Sequence, residues 1–244
     1  MTLYRDRGVV LRTHKLGEAD RIVVLATEHR GKVRAVAKGV RRTSSRFGSR
    51  LEPLSHVRLL CWHGRGELDT VDQVEVVDHF RAVRENLEKM TAGLALLEVV
   101  DQLSQEGHAD PALYTMLVGA LRALADPATE AAVVPPAFFL KALVLEGAGP
   151  VVEACAACGR AEPEVELVAF DLTEGGVLCR GCRRGRPMSA DALALLRRIL
   201  GGGLGAVLRS PPGAGAAELA QLATEAMEAH LDRRLRAVRS APNP

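Results

Sequence analysis

Four cysteines are spaced as the ligands of a single metal ion. Cys155-Ala-Ala-Cys158 and Cys179-Arg-Gly-Cys182 are two CxxC pairs with 20 residues between them, at the upper end of the separation expected of a four-cysteine zinc site. Two residues between cysteines let both sulfurs of one turn reach the same ion, and Zn2+ accepts four thiolates tetrahedrally. Four thiolates leave no position for water or substrate, so the expected cofactor is one structural Zn2+. Two disulfides, or four unrelated buried thiols, are the alternatives. The opening Met1-Thr-Leu-Tyr-Arg-Asp-Arg7 meets charge at once and lacks the apolar run of a secretory leader, so a reducing cytoplasm is expected and disulfides are disfavoured. The fifth cysteine, Cys61, lies in the apolar run Val57–Trp62 and reads as a buried thiol.

A second pattern is made of cations. The chain carries 32 Lys/Arg against 30 Asp/Glu, but residues 1–50 hold 13 of the former and 4 of the latter. Between Arg30 and Arg50 there are eight basic residues and no acid. Lys32, Arg34 and Lys38 are interleaved with Val33, Ala35, Val36 and Ala37, which predicts one apolar face and one face carrying cations. Arg41, Arg42, Arg46 and Arg50 follow in a small, polar segment. Unopposed cations on a strand and its following loop can track a polyanion and release its counterions; a solvated loop is the plainer alternative. Aromatic residues are only 3% of the chain. Phe47, inside the basic loop, is the one residue in this half placed to stack on a base, and Trp62 is expected in the core. Binding mainly through phosphates, with little sequence preference and strong salt dependence, is the expectation.

The elements that must position these groups are legible in outline. With 244 residues, 48% apolar and 25% charged, the chain can bury one large core or two smaller ones. Gly8–Leu11, Ile22–Leu25, Val33–Ala37, Val57–Cys61 and Val71–Val77 are short β-branched runs, which predicts five strands and a small closed barrel. After Asp78 the period becomes helical. Leu87, Met90, Leu94, Leu97 and Val100 form one stripe, and Asp110-Pro111 opens a second helix with Leu113, Leu117, Leu121 and Leu124 on its face. Pro135-Pro136 opens a third, which ends at Gly147 and Gly149. Val165–Phe170 and the Gly175-Gly176 turn make a small ribbon carrying the cysteines. Ser189 caps a helix through Leu200, and Ala216 to about Val238 reads as one long final helix. Arginines 183, 184, 186, 197, 198, 233, 234 and 236 give this end a second positive bias. The best candidate for a span, around Pro135–Leu145, is interrupted by two prolines and Lys141, so no membrane span is expected.

Several catalytic patterns are missing. Gly31-Lys32 is the one Gly-Lys pair and Val33 follows it, so there is no phosphate-binding GxxxxGK[ST] loop. Gly201-Gly-Gly-Leu-Gly205 follows a helix instead of a strand, and no histidine is followed two residues later by glutamate. No GxSxG elbow is present. A non-enzymatic protein is expected.

At this point the residues resemble a known family, the RecO recombination mediators of bacteria. The resemblance runs through Gly8–Arg21, Gly31–Arg42, Leu51-Glu-Pro-Leu54, Gly64-Arg-Gly-Glu67, Gly147-Ala-Gly-Pro150, Gly175-Gly-Val-Leu-Cys179 and His230–Arg236, in order and over nearly the whole chain. It implies an α+β multidomain protein: a five-stranded OB-fold over residues 1–80, then an all-α domain over 81–244 with a four-cysteine zinc ribbon inserted at 151–187. It implies no enzymatic activity and a place in the RecF pathway of DNA repair. Such a protein would bind single- and double-stranded DNA, anneal complementary strands, and work with RecR to load RecA onto strands coated by single-strand-binding protein, with a functional link to RecF. The family's basic face falls on Lys32, Arg34, Lys38, Arg41 and Arg42, extended by Arg46 and Arg50, and its metal ligands on Cys155, Cys158, Cys179 and Cys182. A protein of mainly adaptor character, linking RecR to single-strand-binding protein with weak DNA binding of its own, is the second expectation.

Overall fold

The computed structural model describes residues 2–43, 45, 47–64 and 66–239. These form two compact units, which divide between Ala125 and Asp126.

The first unit begins with five strands, β1 (Thr2–Leu16), β2 (Asp20–Thr27), β3 (Gly31–Ala37), β4 (His56–His63) and β5 (Asp69–Asp78). β1 pairs with both β2 and β4, β2 with β3, and β4 with β5, all antiparallel. A short parallel pairing of Ala35 with Asp69 and Val36 with Thr70 joins β3 to β5, so the sheet returns on itself in the order β1-β2-β3-β5-β4. The length of β1 makes this possible. A bulge between Val10 and Arg12 breaks its register and bends the strand, so that one strand serves two neighbours. β3 shows the expected alternation, with Gly31, Val33, Ala35 and Ala37 buried and Lys32, Arg34 and Val36 part-exposed.

The core inside the sheet is built from Tyr4, Val10, Val23, Leu25, Val33, Ala35, Val57, Leu59, Cys61 and Val71, and it takes in Phe47 and Leu51 from the segment after β3. Phe47 is only 1% exposed, which corrects the expectation that it offers a stacking platform. Burying a phenyl ring is worth about 1.5–3 kcal/mol, and that gain folds the segment back onto the sheet. Trp62 reverses its expectation as well. Val57, Leu59 and Cys61 take the inward positions of β4, so the period of two turns Trp62 outward, 38% exposed.

Helices α1 (Arg81–Arg84), α2 (Leu87–Leu103) and α3 (Pro111–Ala125) complete this unit. Asp110 caps α3 through the Leu113 amide, and Leu113, Leu117, Leu121 and Leu124 are buried as its stripe predicts. The predicted stripe of α2 is partly wrong, since Leu87 is 62% exposed and Leu94 points to solvent. The buried face keeps Leu97 and Val100 of that stripe and adds Ala92, Gly93, Leu96 and Val99. Small residues carry that contact: a Cβ on Gly93 would sit 2.9 Å from the Leu54 side chain, a closeness that a period of large apolar residues does not reveal.

In the second unit, α4 (Val134–Leu145) starts at its two prolines, and α5 (Ala190–Leu200) is capped by Ser189 through the Ala192 amide. Between them lies a three-stranded ribbon of β6 (Leu167–Asp171), β7 (Gly176–Cys179) and β8 (Arg186–Pro187), in the order β7-β6-β8. A short α6 (Leu204–Val207) interrupts the expected loop. The long last helix is shorter than predicted: α7 covers Ala216–His230, the chain turns at Asp232 with φ 47°, and α8 (Arg236–Arg239) follows. The Leu235 amide bonds to Glu228 Oε1, and Leu235 is fully buried, which holds the turn closed. Among the described residues no helix is long and apolar enough to cross a membrane.

Candidate metal centre and nucleic-acid interface

Each cysteine pair sits on its own turn. In the first, the Cys155 amide bonds to the Arg160 carbonyl and the Gly159 amide to the Cys155 carbonyl, both at 2.8 Å. Gly159, at φ +74°, takes the left-handed corner. In the second, β7 ends on Cys179 and a 3-10 turn runs Arg180–Cys182. The ribbon's own hydrogen bonds bring the turns together. The Val177 amide donates to the Val151 carbonyl, and the Ala156 amide to the Val177 carbonyl at 2.8 Å.

The result is a cluster of four sulfurs, all within 4.8 Å of one another. Cys158 and Cys179 Sγ are 3.9 Å apart. Four thiolates about 2.3 Å from one tetrahedral ion would be separated by about 3.8 Å, whereas a disulfide needs about 2.05 Å, and all five cysteines are free thiols. Burial opposes ionisation of Cys155, yet the amides of Cys179, Cys158 and Ala157 aimed at its sulfur bring its pKa down to about 6. Cys158 is lowered by the Arg160 amide and then by the Arg160 side chain. Cys182 is raised by its contacts with the Cys179 and Cys158 sulfurs, the behaviour of a fourth thiol among anions that a bound dication would reverse. The donor set and its spacing are compatible with zinc.

The cations of the first unit separate into two groups. Lys32 and Arg34 face acids contributed by the end of α2 and the turn beyond it. Lys32 Nζ donates to the Asp101 carbonyl and lies 3.4 Å from Asp101 Oδ1, Arg12 Nε lies 2.5 Å from Oδ2 of the same carboxylate, and Arg34 Nη1 is 3.6 Å from Glu106 Oε1. This is possible because residue 31 is glycine. The Lys32 amide donates to the Gln105 carbonyl at 2.9 Å, and a Cβ on Gly31, at φ +66°, would come within 2.1 Å of the His108 carbonyl oxygen.

Lys38, Arg41 and Arg42 lie past the end of β3 and are exposed. Their segment is fastened to the β1–β2 turn: the Gly39 amide donates to Asp20 Oδ1 at 2.7 Å, and the Arg41 amide to the Ala19 carbonyl at 2.9 Å. Arg41 Nη1 also reaches the Gly17 carbonyl at 3.2 Å. Among the described residues Lys38 and Arg42 have no acid partner. Arg50 is exposed on the 3-10 turn Gly48–Leu51, and Arg46 lies outside the described residues. The fastening also brings in Lys15, which is exposed at the end of β1, opposite Arg21. Sequence reasoning missed it because it is far from the basic run; its position just before the Gly17 turn was the available signal. In the second unit the arginines are mostly engaged. Arg186 pairs with Glu225 at 2.7 Å, Arg197 with Glu162 at 2.8 Å, Arg234 with Glu228 at 3.3 Å, and Arg184 with Glu174.

Comparison with known proteins gives these features a context. The family description "Recombination protein O N terminal" matches residues 1–80, and "Recombination protein O C terminal" matches residues 84–239. The chain belongs to the RecO family. A DNA repair protein RecO from Frankia casuarinae is 43% identical over 243 residues, covering 98% of each chain. Another from Nocardioides sp. is 45% identical over 206 residues, 82% of this chain and 83% of the relative. RecO membership gives the protein a role in DNA repair and recombination, and it places the strand-rich and cysteine-bearing parts in two separately recognised regions.

Proposed function

We propose that this protein is a recombination mediator of the RecF pathway, without catalytic activity of its own. It binds single- and double-stranded DNA through phosphates, anneals complementary strands, and with RecR assists RecA loading onto strands coated by single-strand-binding protein, with a functional link to RecF, in the cytoplasm at the nucleoid. In this reading residues 1–80 are an OB-fold barrel, and residues 81–244 a helical domain whose ribbon, 151–187, is held by one structural Zn2+ on Cys155, Cys158, Cys179 and Cys182.

The observation that carries the proposal is the exposed group Lys38, Arg41 and Arg42, fastened against the β1–β2 turn in a RecO-family chain. Lys15, opposite Arg21 at the end of β1, borders it, and Arg34, part-exposed on β3, and the exposed Arg50 are taken as further phosphate contacts. Lys32 stays in the interface as a positioning residue, because its ammonium is already engaged by the Asp101 carbonyl and carboxylate. Annealing requires that two phosphate backbones be neutralised while base edges stay free, and a cationic surface with few stacking platforms does this. The test is the rate at which purified protein pairs two labelled complementary oligonucleotides. Wild type should accelerate pairing at low salt, and Lys38→Glu/Arg42→Glu should remove most of that acceleration. Equal rates for the two proteins would place DNA binding elsewhere.

A second reading, of an adaptor between RecR and single-strand-binding protein, has one observation in its favour. The second unit holds a groove of about 420 Å³ lined by Leu140, Leu143, Phe170, Leu172, Leu222 and His230 among others, suited to an apolar peptide end. An adaptor would show little DNA binding alone at moderate salt.

A further inference from the structure

The outward face of β1 and β4 has a composition that the phosphate-binding group does not explain. Three cross-strand pairs follow one another there: Leu3 opposite Trp62, Arg5 opposite Leu60, and Arg7 opposite Arg58. The inward positions between them are Tyr4, Asp6, Leu59 and Cys61. The face therefore presents three apolar groups, three guanidiniums and no acid of its own. Leu3 is 44% and Trp62 38% exposed. Arg7 and Arg58 are held by acids from flanking segments, Glu28 at 2.7 Å and Glu75 at 2.6 Å. Arg5 is exposed and has no acid partner among the described residues.

Every base has a π-face, so an exposed indole stacks on any unpaired base, and a neighbouring guanidinium can take the adjoining phosphate. A duplex hides its base faces and gains nothing from the indole. We propose that this face is a second nucleic-acid contact, on which Trp62 stacks an unpaired base and Arg5 meets the backbone. Trp62 and Lys15 fall near opposite ends of β1, twelve residues apart counted from Leu3, up to about 40 Å along an extended strand. One protein would then hold a strand by its bases on this face and a backbone by its phosphates at the far turn, an arrangement that suits the pairing of two strands. The inference rests on the nucleic-acid reading above and adds a site to it.

Trp62 is the only tryptophan in the chain, so its emission reports on this face alone. Wild-type protein is titrated at low salt with a labelled oligothymidylate and, separately, with a duplex of the same length, while tryptophan emission and label anisotropy are followed together. The single strand should quench Trp62 saturably at the concentrations at which it binds, and the duplex should bind with little quenching. Trp62→Ala should weaken single-strand binding by about 5- to 150-fold, the range one base–aromatic stack supplies, and leave duplex binding unchanged. Trp62→Phe should restore most of the loss, and unchanged duplex binding by Trp62→Ala separates a lost stack from a folding defect. Arg5→Gln should flatten the single-strand salt slope by about 0.7. Binding of the strand without any change in emission, or equal affinities for wild type and Trp62→Ala, would overturn this site and leave the phosphate group at Lys38 and Arg42 intact. An absence of all strand binding by wild type would overturn both.

Discussion

The ribbon and the cationic strand are organised over very different distances. The four thiols lie within 28 residues, and every hydrogen bond that brings their two turns together comes from the same segment or its immediate flank at Val151. The cations of β3 and its loop depend on partners far away: Asp101 lies 69 residues from Lys32, and the β1–β2 turn lies 24 positions before Arg41. Metal ligands must converge on a point, so their pattern is a local necessity of the chain. A cation's availability is decided by whichever acid packs nearest, and that is settled only when helices fold onto strands.

The largest effect expected from this contrast is on the ribbon. Cys155→Ser should abolish stoichiometric zinc, measured by metal analysis, and lower the melting temperature by about 10 °C, for a loss of about 3–5 kcal/mol in a chain of this size. DNA affinity should hardly move. Retained zinc with unaltered melting would break the four-thiolate assignment.

A smaller effect separates the two groups of cations. Lys32→Gln should cost about 1–2 kcal/mol of stability in denaturant titration, since it removes a charge-assisted bond to the Asp101 carbonyl in a part-buried place. Its effect on strand affinity should be within about twofold, the level expected when no phosphate contact is lost. A loss as large as that of Lys38→Glu would show that Asp101 gives Lys32 up when DNA arrives.

The smallest effect concerns His56, which is buried against Tyr114, with its Nε2 2.8 Å from the hydroxyl and its Nδ1 without a partner among the described residues. Burial first, then Arg122 and Arg7, lower its pKa below the ordinary histidine value of 6.5. The unfolded chain therefore takes up the proton first, and stability should fall as pH drops below about 6.5 towards the lowered value. Comparing melting at pH 7 and pH 5.5 in wild type and His56→Asn checks this; the variant should lose the histidine's share of the acid sensitivity. An unchanged pH dependence would remove His56 from the account.

What could be read from the residues follows the same division. The CxxC spacing, the Asp110 and Ser189 caps and the alternation of β3 are short-range patterns, and each appears in the fold where the spacing puts it. The outward turn of Trp62 depends on which three residues of β4 face the core, and the burial of Phe47 depends on core residues from distant strands, which no local pattern describes. The real face of α2 is hidden for a related reason: Gly93 and Ala92 pack closely because they are small, while the period of large residues points to Leu87 and Leu94 in solvent. The break in the last helix at Asp232 leaves no proline or glycine to mark it.

The most direct test of the account is the salt dependence of binding to a labelled single strand, with wild type and Lys38→Glu/Arg42→Glu compared side by side and no partner protein present. A steep linear fall of log affinity with log salt for wild type, flatter by about 1.4 in the variant as two phosphate contacts are lost, is the predicted result. Parallel slopes for the two proteins, or no binding by wild type at low salt, would contradict it.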